Sequence, residues 1–531
     1  MKKKIFSFLL LPFLLTGCNV VSDLKFVPFT SYVEPQELMR DYEDDFAVSK
    51  KESDDIDTYA GTVNNVKDLL SLSNSDLMKK SMETTGERKL LVVPISFKDS
   101  NIPSLMEKHT YIENAFFGET KRTNYDSVAG YYNKSSYGQL KITGTVAPWF
   151  RLEDLKSEDW KSISNDHTKA STTLVCKAVD WLKEMNLIED IDQYDTDKDS
   201  YIDAVFAIYD HPFNEEGDTN TLFWAYVYYT HQGQYELNNS APYVNAYAWS
   251  SVDKVKGKGK IANTNYLIHE VGHLLGLTDY YNIYASSENT SFHYGPTGCF
   301  DMMDYNIGDH CSFSKYLLNW TSPMVVKENI ETTITLTPFQ EGGQCLLIPS
   351  SNYRNSPFGE YLLVEYFSPD GLNKYSGSYS YVDKNGRTGV FNYPQHHGVR
   401  IYHVDATLGY FQKGRSGTSV IATVDDENAL EKIGTKVVGL DYAYSNSISD
   451  QKARNGDPVL IHLLESSGEN TFLDGIPASN ETLFKLNDDF GITTFKDFTF
   501  HNGEKVNFTM KVKAISTKGV TLDISTKVLE D

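Results

Sequence analysis

The segment His269–His273 contains two histidines four residues apart, with Glu270 directly after the first. On a helix, residues four apart share one face with Cβ atoms about 5–6 Å apart, so both imidazoles can bind one zinc ion. Glu270 can then act as the general base that activates a zinc-bound water. The pattern therefore predicts a zinc site for metal-assisted hydrolysis, with His269 and His273 as ligands.

Asp279 is the predicted third zinc ligand. Gly276 allows a sharp turn after the helix, so that the chain can return Asp279 to the metal. The usual extended zincin motif has histidine at this position, but an aspartate oxygen also binds zinc. Two imidazoles and one carboxylate leave one coordination position for water.

A methionine pair lies further along the chain, in the segment Phe300–Tyr305. Proteases of the metzincin type have a methionine-containing turn beneath their zinc. Met303 is the predicted methionine of such a turn, with Met302 as the alternative. In some proteases of this type a tyrosine two residues beyond the methionine approaches the metal and stabilises the oxyanion, and this resemblance assigns that role to Tyr305. A methionine pair by itself also fits ordinary core packing.

Hydrophobic periodicity predicts the elements that position these residues. The helix of the motif is expected to begin near Asn263 or Thr264 and to run to Gly276, with one strongly apolar face. The run 90–97 predicts a buried first strand, and 201–209 a further strand. Residues 171–185 predict a helix with Met185 on its apolar face.

Beyond about residue 325 the pattern changes to short alternating strands, at 332–336, 361–366, 399–404 and 520–524. The sequence therefore predicts an α+β protein. Residues 88–325 are expected to form a zincin/metzincin-like catalytic domain, in which a twisted sheet supports the active-site helix. Residues 326–531 are expected to form a β-rich, sandwich-like C-terminal region.

An acidic loop predicts a second metal site. Asp195, Asp197 and Asp199 alternate along the chain, as at the start of a calcium loop, and the Tyr201 carbonyl and Asp203 complete the predicted calcium ligands. The loop departs from a full EF-hand because serine replaces the glycine of the sharp turn and no glutamate stands at the twelfth position. A solvated acidic turn is the alternative.

The N-terminus has the pattern of an export signal. A basic start at 1–4 precedes an apolar run at 5–15, which is too short to span a bilayer. The run ends in Leu15-Thr16-Gly17-Cys18, which resembles the lipobox of bacterial lipoproteins. We expect a signal peptide at 1–18, a lipid on Cys18 that anchors the chain to the extracellular face of the cell membrane, and a polar tether or propeptide at 19–87. An ordinary signal with an incidental cysteine is the alternative.

Composition excludes some functions. The 531 residues carry a net charge of −23, whereas a nucleic-acid partner requires a basic surface. The five cysteines are too few for a disulfide framework. Cys299 and Cys311 either pair or stay free. Seven further histidines have no ligand spacing and are expected to be packed or solvated: His211, His231, His293, His310, His396, His397 and His403. A place in the cleft is the alternative for His293, because it lies between Asp279 and the methionine pair.

Several segments together resemble the immune inhibitor A family of bacterial metzincin-type zinc proteases. Besides the helix with Asp279, the segments that carry the resemblance are 116–118, 127–138, 298–304, 315–320, 360–366 and 398–405. Phe300 and Asn319 stand where that family has tryptophan and glycine. The resemblance implies an extracellular endopeptidase made with an N-terminal propeptide. Residues after about 410 carry no resemblance.

These features predict a zinc endopeptidase that hydrolyses proteins or peptides outside the cell. One alternative is a non-enzymatic surface adhesin or binding protein on a protease scaffold, although such proteins often lose the base or a ligand, and here both are present. Another is a metallo-amidase that acts on cell-wall peptides or glycoproteins and shares the same zinc site.

Overall fold

The computed structural model describes residues 81–157, 167–213, 222–230, 238–257, 261–282, 295–353, 355–374, 379–382, 388–391, 393–414, 417–434 and 439–527. The predicted signal peptide, Cys18 and most of the predicted tether lie outside these residues, as do His231 and His293. Within the described part, no helix is both long and apolar enough to cross a membrane. The fold is mixed α/β with several sheets.

The N-terminal half is built on one six-stranded sheet. The strands of this half are β1 Gly86–Ser96, β2 Leu140–Val146, β3 Phe150–Arg151, β4 Tyr201–Ile202, β5 Val205–Tyr209, β6 Tyr226–Tyr229, β7 Tyr243–Val244 and β8 Ala246–Ser251. The sheet order is β2-β1-β5-β8-β6, and β3 continues the pairing at the end of β1. The first four strands of this order are parallel and the edge strand β6 is antiparallel. The short strands β4 and β7 pair separately.

The helices of this half are α1 Ile102–Phe117, α2 Val128–Ser135, α3 His167–Glu184, α4 Val252–Val255, α5 Asn265–Leu274 and α6 Ser312–Leu317. Of these, α1, α2 and α5 pack on one face of the sheet and α3 packs on the other. Alternate residues of β1 enter different hydrophobic clusters: Leu91 and Val93 pack with α3, whereas Leu90 and Val92 pack with α1, α2 and α5. This alternation follows from the two-residue period of a strand.

The predicted elements occur with changed bounds. The first strand is confirmed as β1, and the predicted strand at 201–209 is divided into β4 and β5. Thr264 is the N-cap of α5, which ends at Leu274. The expectation that Met185 lies on the buried face of a helix is wrong: α3 ends one residue earlier and Met185 is 60% exposed. Cys299 and Cys311 are free thiols.

The C-terminal half is rich in strands. They are β9 Met324–Val325, β10 Glu331–Leu336, β11 Cys345–Pro349, β12 Glu360–Phe367, β13 Tyr379–Val382, β14 Thr388–Phe391, β15 Gly398–Asp405, β16 Leu408–Gly414, β17 Gly417–Thr423, β18 Gly439–Tyr442, β19 Ile461–Leu464, β20 Asp489–Phe490, β21 Thr509–Ser516 and β22 Gly519–Ser525. Its helices are α7 Phe339–Gly342, α8 Ala429–Ile433 and α9 Asp450–Arg454. Single-turn 3-10 helices lie at 120–122, 191–194, 371–373 and 471–474.

Two sheets of this half face each other across one core. The five-stranded sheet has the order β19-β15-β12-β11-β9 and the four-stranded sheet the order β10-β22-β21-β20. Leu362 and Ile401 of the first sheet share a hydrophobic cluster with Val512 and Leu522 of the second. The opposite face of the five-stranded sheet, including Leu363, belongs to the cluster that also holds α5. The hydrophobic core is therefore continuous from the C-terminal half to the motif helix.

Candidate metal centre

His269 and His273 lie on one side of α5 and face Asp279. The Asp279 Oδ1 atom is 3.1 Å from His269 Nε2 and 3.3 Å from His273 Nε2. The two imidazole rings are nearly perpendicular, with centroids 4.7 Å apart. These three residues form a group whose potential ligand atoms all lie within 4.8 Å of one another. The structure thus brings together the three residues that the sequence predicts as zinc ligands.

Backbone carbonyls fix the orientation of both imidazoles. His269 Nδ1 is 2.9 Å from the Met302 carbonyl oxygen, and His273 Nδ1 is 2.8 Å from that of Leu277. Because a carbonyl only accepts a hydrogen bond, each Nδ1 carries a proton, and Nε2, which faces Asp279, is the nitrogen that offers a lone pair to a metal once it holds no proton of its own. This is the tautomer that a metal ligand requires.

The turn after α5 returns the chain to the site. Gly276 has a φ of +99°, a conformation that glycine adopts readily, and the Leu277 amide closes the turn on the Gly272 carbonyl. Tyr280 then donates its amide to the Met303 carbonyl at 2.8 Å. Asp279 is therefore held between the end of the helix and the methionine segment.

Met303 packs directly beneath the motif helix. A Cβ atom added to Gly272 would lie 2.6 Å from Met303 Sδ and 3.3 Å from Tyr132 Oη. Gly272, which lies between the two histidines in the sequence, therefore allows the helix to rest on the methionine. Asp301 shapes this segment by accepting the amides of Met303 at 2.8 Å and Cys311 at 3.0 Å.

Glu270 is buried beside the three potential ligands. Its side chain is 6% exposed, and its Oε2 has no hydrogen-bond partner among the described residues. Burial raises the pKa of Glu270, although His269 and His273 oppose the shift. A carboxylate with an oriented, unpaired oxygen and a raised pKa suits proton transfer near neutral pH.

The ionisation of the ligands reflects their contacts. Burial lowers the pKa of His273, but the Asp279 carboxylate outweighs it and raises that pKa from 6.5 to about 9. Burial raises the pKa of Asp279, and the two histidines more than reverse this effect, so that Asp279 stays ionised. In the metal-free chain, His273 and Asp279 thus form an ion pair.

Two tyrosines that the sequence analysis did not assign to the site brace the helix. Tyr132 Oη donates to the Ile268 carbonyl at 2.6 Å, and Tyr229 Oη of the edge strand donates to the His273 carbonyl at 2.7 Å. Tyr132 lies in the segment 127–138 that carries the resemblance. Tyr305 is 8% exposed in the main hydrophobic cluster, and its contribution to oxyanion stabilisation stays a prediction.

The acidic loop forms a compact turn. Asp195, Asp197 and Asp199 have carboxylate oxygens within 4.8 Å of one another, whereas both oxygens of Asp203 accept hydrogen bonds from Thr196. Burial, followed by the like charges of Asp197 and Asp195, raises the pKa of Asp199. Calcium binding here, including the contributions of Asp203 and of the Tyr201 carbonyl, stays a prediction.

Comparison with models of known protein families and with curated proteins finds no match to this chain. The resemblance to the immune inhibitor A family therefore stays a prediction. The residues of the site provide the basis for assigning a function.

Proposed function

We propose that this protein is an extracellular zinc endopeptidase with a zincin-like catalytic domain. The observation that carries this function is the convergence of His269, His273 and Asp279 next to the buried carboxylate of Glu270. The proposal includes the N-terminal signal, with a lipid on Cys18 that anchors the enzyme to the outer face of the cell membrane.

The ligand atoms fit zinc. Donors about 2.0–2.1 Å from a tetrahedral ion are separated from one another by about 3.3 Å. The 3.1 and 3.3 Å separations between Asp279 Oδ1 and the two histidine Nε2 atoms match this value. Two neutral imidazoles and one carboxylate would leave a net charge of +1 with a divalent ion, which favours a water at the remaining position and its loss of a proton.

The residues of the chain have separate roles in the proposed hydrolysis. When bound, zinc supplies Lewis acidity, which polarises the scissile carbonyl and acidifies the attacking water. Glu270 accepts the proton from this water and returns it to the leaving amine. The Met302 and Leu277 carbonyls hold His269 and His273 in the ligand tautomer throughout the reaction.

Casein cleavage tests this function. The full chain is assayed as wild type, as Glu270→Gln and as Glu113→Gln, which alters an exposed glutamate on α1 and serves as the matched control. We expect Glu270→Gln to keep its zinc and to lose about 10²–10⁴-fold in rate, the usual contribution of a general base. Activity of wild type and Glu113→Gln should disappear with a zinc chelator and return when zinc is added.

Two outcomes would contradict the proposal. The first is undiminished cleavage by Glu270→Gln, which would remove the general base from the mechanism. The second is a wild-type chain that binds zinc yet cleaves no protein, both before and after limited proteolysis of the segment 19–87. Hydrolysis of cell-wall peptides alone would then indicate an amidase, and no hydrolysis would favour a surface binding protein.

A further inference from the structure

A second group of histidines and carboxylates lies at one end of the C-terminal sandwich. It consists of Glu360 at the start of β12, His403 and Asp405 on β15, and His501 on the loop between β20 and β21; we call it the distal cluster. Glu360, His403 and Asp405 are 2%, 6% and 2% exposed, whereas the His501 side chain is 23% exposed. The sequence predicts a packed or solvated His403 and carries no signal for His501.

Strand register places these side chains on one face. Glu360 is paired with Asp405 across β12 and β15, and His403 is two residues from Asp405 on the same strand. Residues directly opposite each other, and residues two apart, point to the same side of a sheet. This side faces the four-stranded sheet, since Leu362 and Ile401 on it belong to the core between the two sheets.

Among the described residues, the cationic partners of the distal-cluster carboxylates are imidazoles, and the amides of His501 and Thr407 also donate to Glu360 and Asp405, respectively. Among the described ion pairs, Glu360 contacts His403 and His501, and Asp405 contacts His501. Another buried carboxylate on the same two strands has a permanent cation as its partner, since Glu365 is paired with the Arg400 guanidinium. Two like charges buried side by side are costly unless a cation compensates them or one of them takes up a proton.

We propose that Glu360, His403 and His501 bind a second metal ion, of the zinc class, with Asp405 beside His501 as a further carboxylate. His403 Nε2 lies 2.8 Å from Glu360 Oε1, and His501 Nδ1 lies 2.8 Å from Asp405 Oδ2 and 3.7 Å from Glu360 Oε1. These separations lie on both sides of the roughly 3.3 Å expected between ligands of a tetrahedral zinc ion. Imidazole and carboxylate are the donors that zinc accepts, and two carboxylates neutralise its charge.

Three converging ligands, two of them buried, with the Asp405 carboxylate nearby, favour a structural site. It joins two neighbouring strands of the five-stranded sheet to the loop between β20 and β21. On that loop, Phe498 and Phe500 pack against the His403 ring, with centroids 5.2 and 5.9 Å away, and they shield it from water. The ion would therefore hold this loop against the end of the sandwich. This structural role does not depend on the proposed protease activity.

Zinc content tests the distal site. The full chain is saturated with ZnCl₂, dialysed and measured by mass spectrometry as wild type, His501→Ala, His396→Ala and the double variant His269→Ala/His273→Ala. His501 is chosen because it lies on a loop, and His396 is an exposed histidine outside the cluster. We expect about two zinc ions per chain for wild type and His396→Ala, and about one for the other two proteins.

Zinc content of His501→Ala equal to that of His396→Ala would overturn the distal site. So would a wild type whose single zinc disappears in the His269→Ala/His273→Ala chain. If His501→Ala does not fold, anomalous diffraction from zinc-soaked wild-type crystals decides instead: a peak between His403 and His501 supports the site, and its absence overturns it. Since the two sites lose zinc in different variants, failure of one leaves the other intact.

Discussion

Replacement of Gly272 by alanine tests whether the motif helix rests on Met303. The added methyl group would lie 2.6 Å from Met303 Sδ, closer than real Cβ contacts allow, and Met303 is fully buried. The methionine must therefore move within a packed core. Because the carbonyl of the adjacent Met302 holds His269 Nδ1, movement of this segment also disturbs a predicted ligand.

The magnitude follows from two opposing effects. Overpacking a buried site costs about 1–3 kcal/mol. A glycine-to-alanine substitution in a permitted conformation stabilises the folded protein by about 0.4–1 kcal/mol, because it reduces the conformational entropy of the unfolded chain. We expect Gly272→Ala to lower the free energy of unfolding by roughly 0.5–2 kcal/mol on balance. Its zinc affinity should fall about tenfold, as when the support of a ligand is lost.

Urea unfolding of the zinc-loaded full chain measures this effect, with Glu270→Gln in every protein to prevent self-cleavage. Gly342→Ala is the matched control because a Cβ there meets no atom within 4 Å, so this variant should be stabilised. Met303→Ala completes a double-mutant cycle. In the Met303→Ala background, Gly272→Ala should cost less stability than in the wild type, with a coupling free energy of about 1–3 kcal/mol. Equal stabilisation by Gly272→Ala and Gly342→Ala, or a cycle without coupling, would contradict the contact between Gly272 and Met303.

Three further predictions concern metals and pH. Asp279→Asn should weaken zinc binding at least about 10–100-fold in a competition assay with a chelating dye, and unchanged affinity would exclude Asp279 as a ligand. Without a bound metal, the pKa of His273 rises from 6.5 to about 9. Its ion pair with Asp279 therefore stabilises the folded state fully below pH 6.5, and this contribution is lost as the pH rises through about 9. Zinc must displace that proton, so its affinity should increase about tenfold per pH unit across this window; a flat profile would contradict a protonated His273. Ser200 has a φ of +76°, which glycine adopts more readily than serine. Ser200→Gly should therefore stabilise the folded protein by about 1–2 kcal/mol and increase the rise in melting temperature on addition of calcium. If calcium changes the melting temperature of neither protein, the loop is a solvated turn.

The local parts of the proposed zinc site could be predicted from sequence. A helix fixes the relation of His269 to His273, and glycine at 276 signals the turn that returns Asp279, so short-range geometry is sufficient. Met303 could be proposed because it follows soon after the motif. Its exact partner, Gly272, could not be inferred, because this contact depends on how two segments pack.

The distal cluster could not be predicted because its geometry is entirely long-range. His403 lies 43 residues from Glu360, and His501 lies 141 residues from it. Their proximity depends on the register of β12 with β15 and on the path of the loop after β20, neither of which is encoded in a short motif. Tyr229 was missed for the same reason, since only sheet order places the edge strand β6 against α5.

Buried carboxylates in this protein divide according to their partners. Asp309 is paired with the Lys315 ammonium at 2.6 Å and Glu365 with Arg400, so each charge has a permanent cation. Asp304 has no lysine or arginine partner among the described ion pairs. Burial raises its pKa to about 8, which keeps it protonated at neutral pH.

Asp279 and the Glu360–Asp405 pair belong to a third group, in which the partners of a buried carboxylate are imidazoles. An imidazole can either carry a proton or, once that proton is released, offer a lone pair to a metal. A permanent ammonium or guanidinium offers only the first kind of compensation. The described part of the chain combines imidazoles with buried carboxylates in this way at two places, one at the proposed catalytic centre and one at the end of the sandwich. These are therefore the two places where we propose that a divalent ion supplies the compensating positive charge.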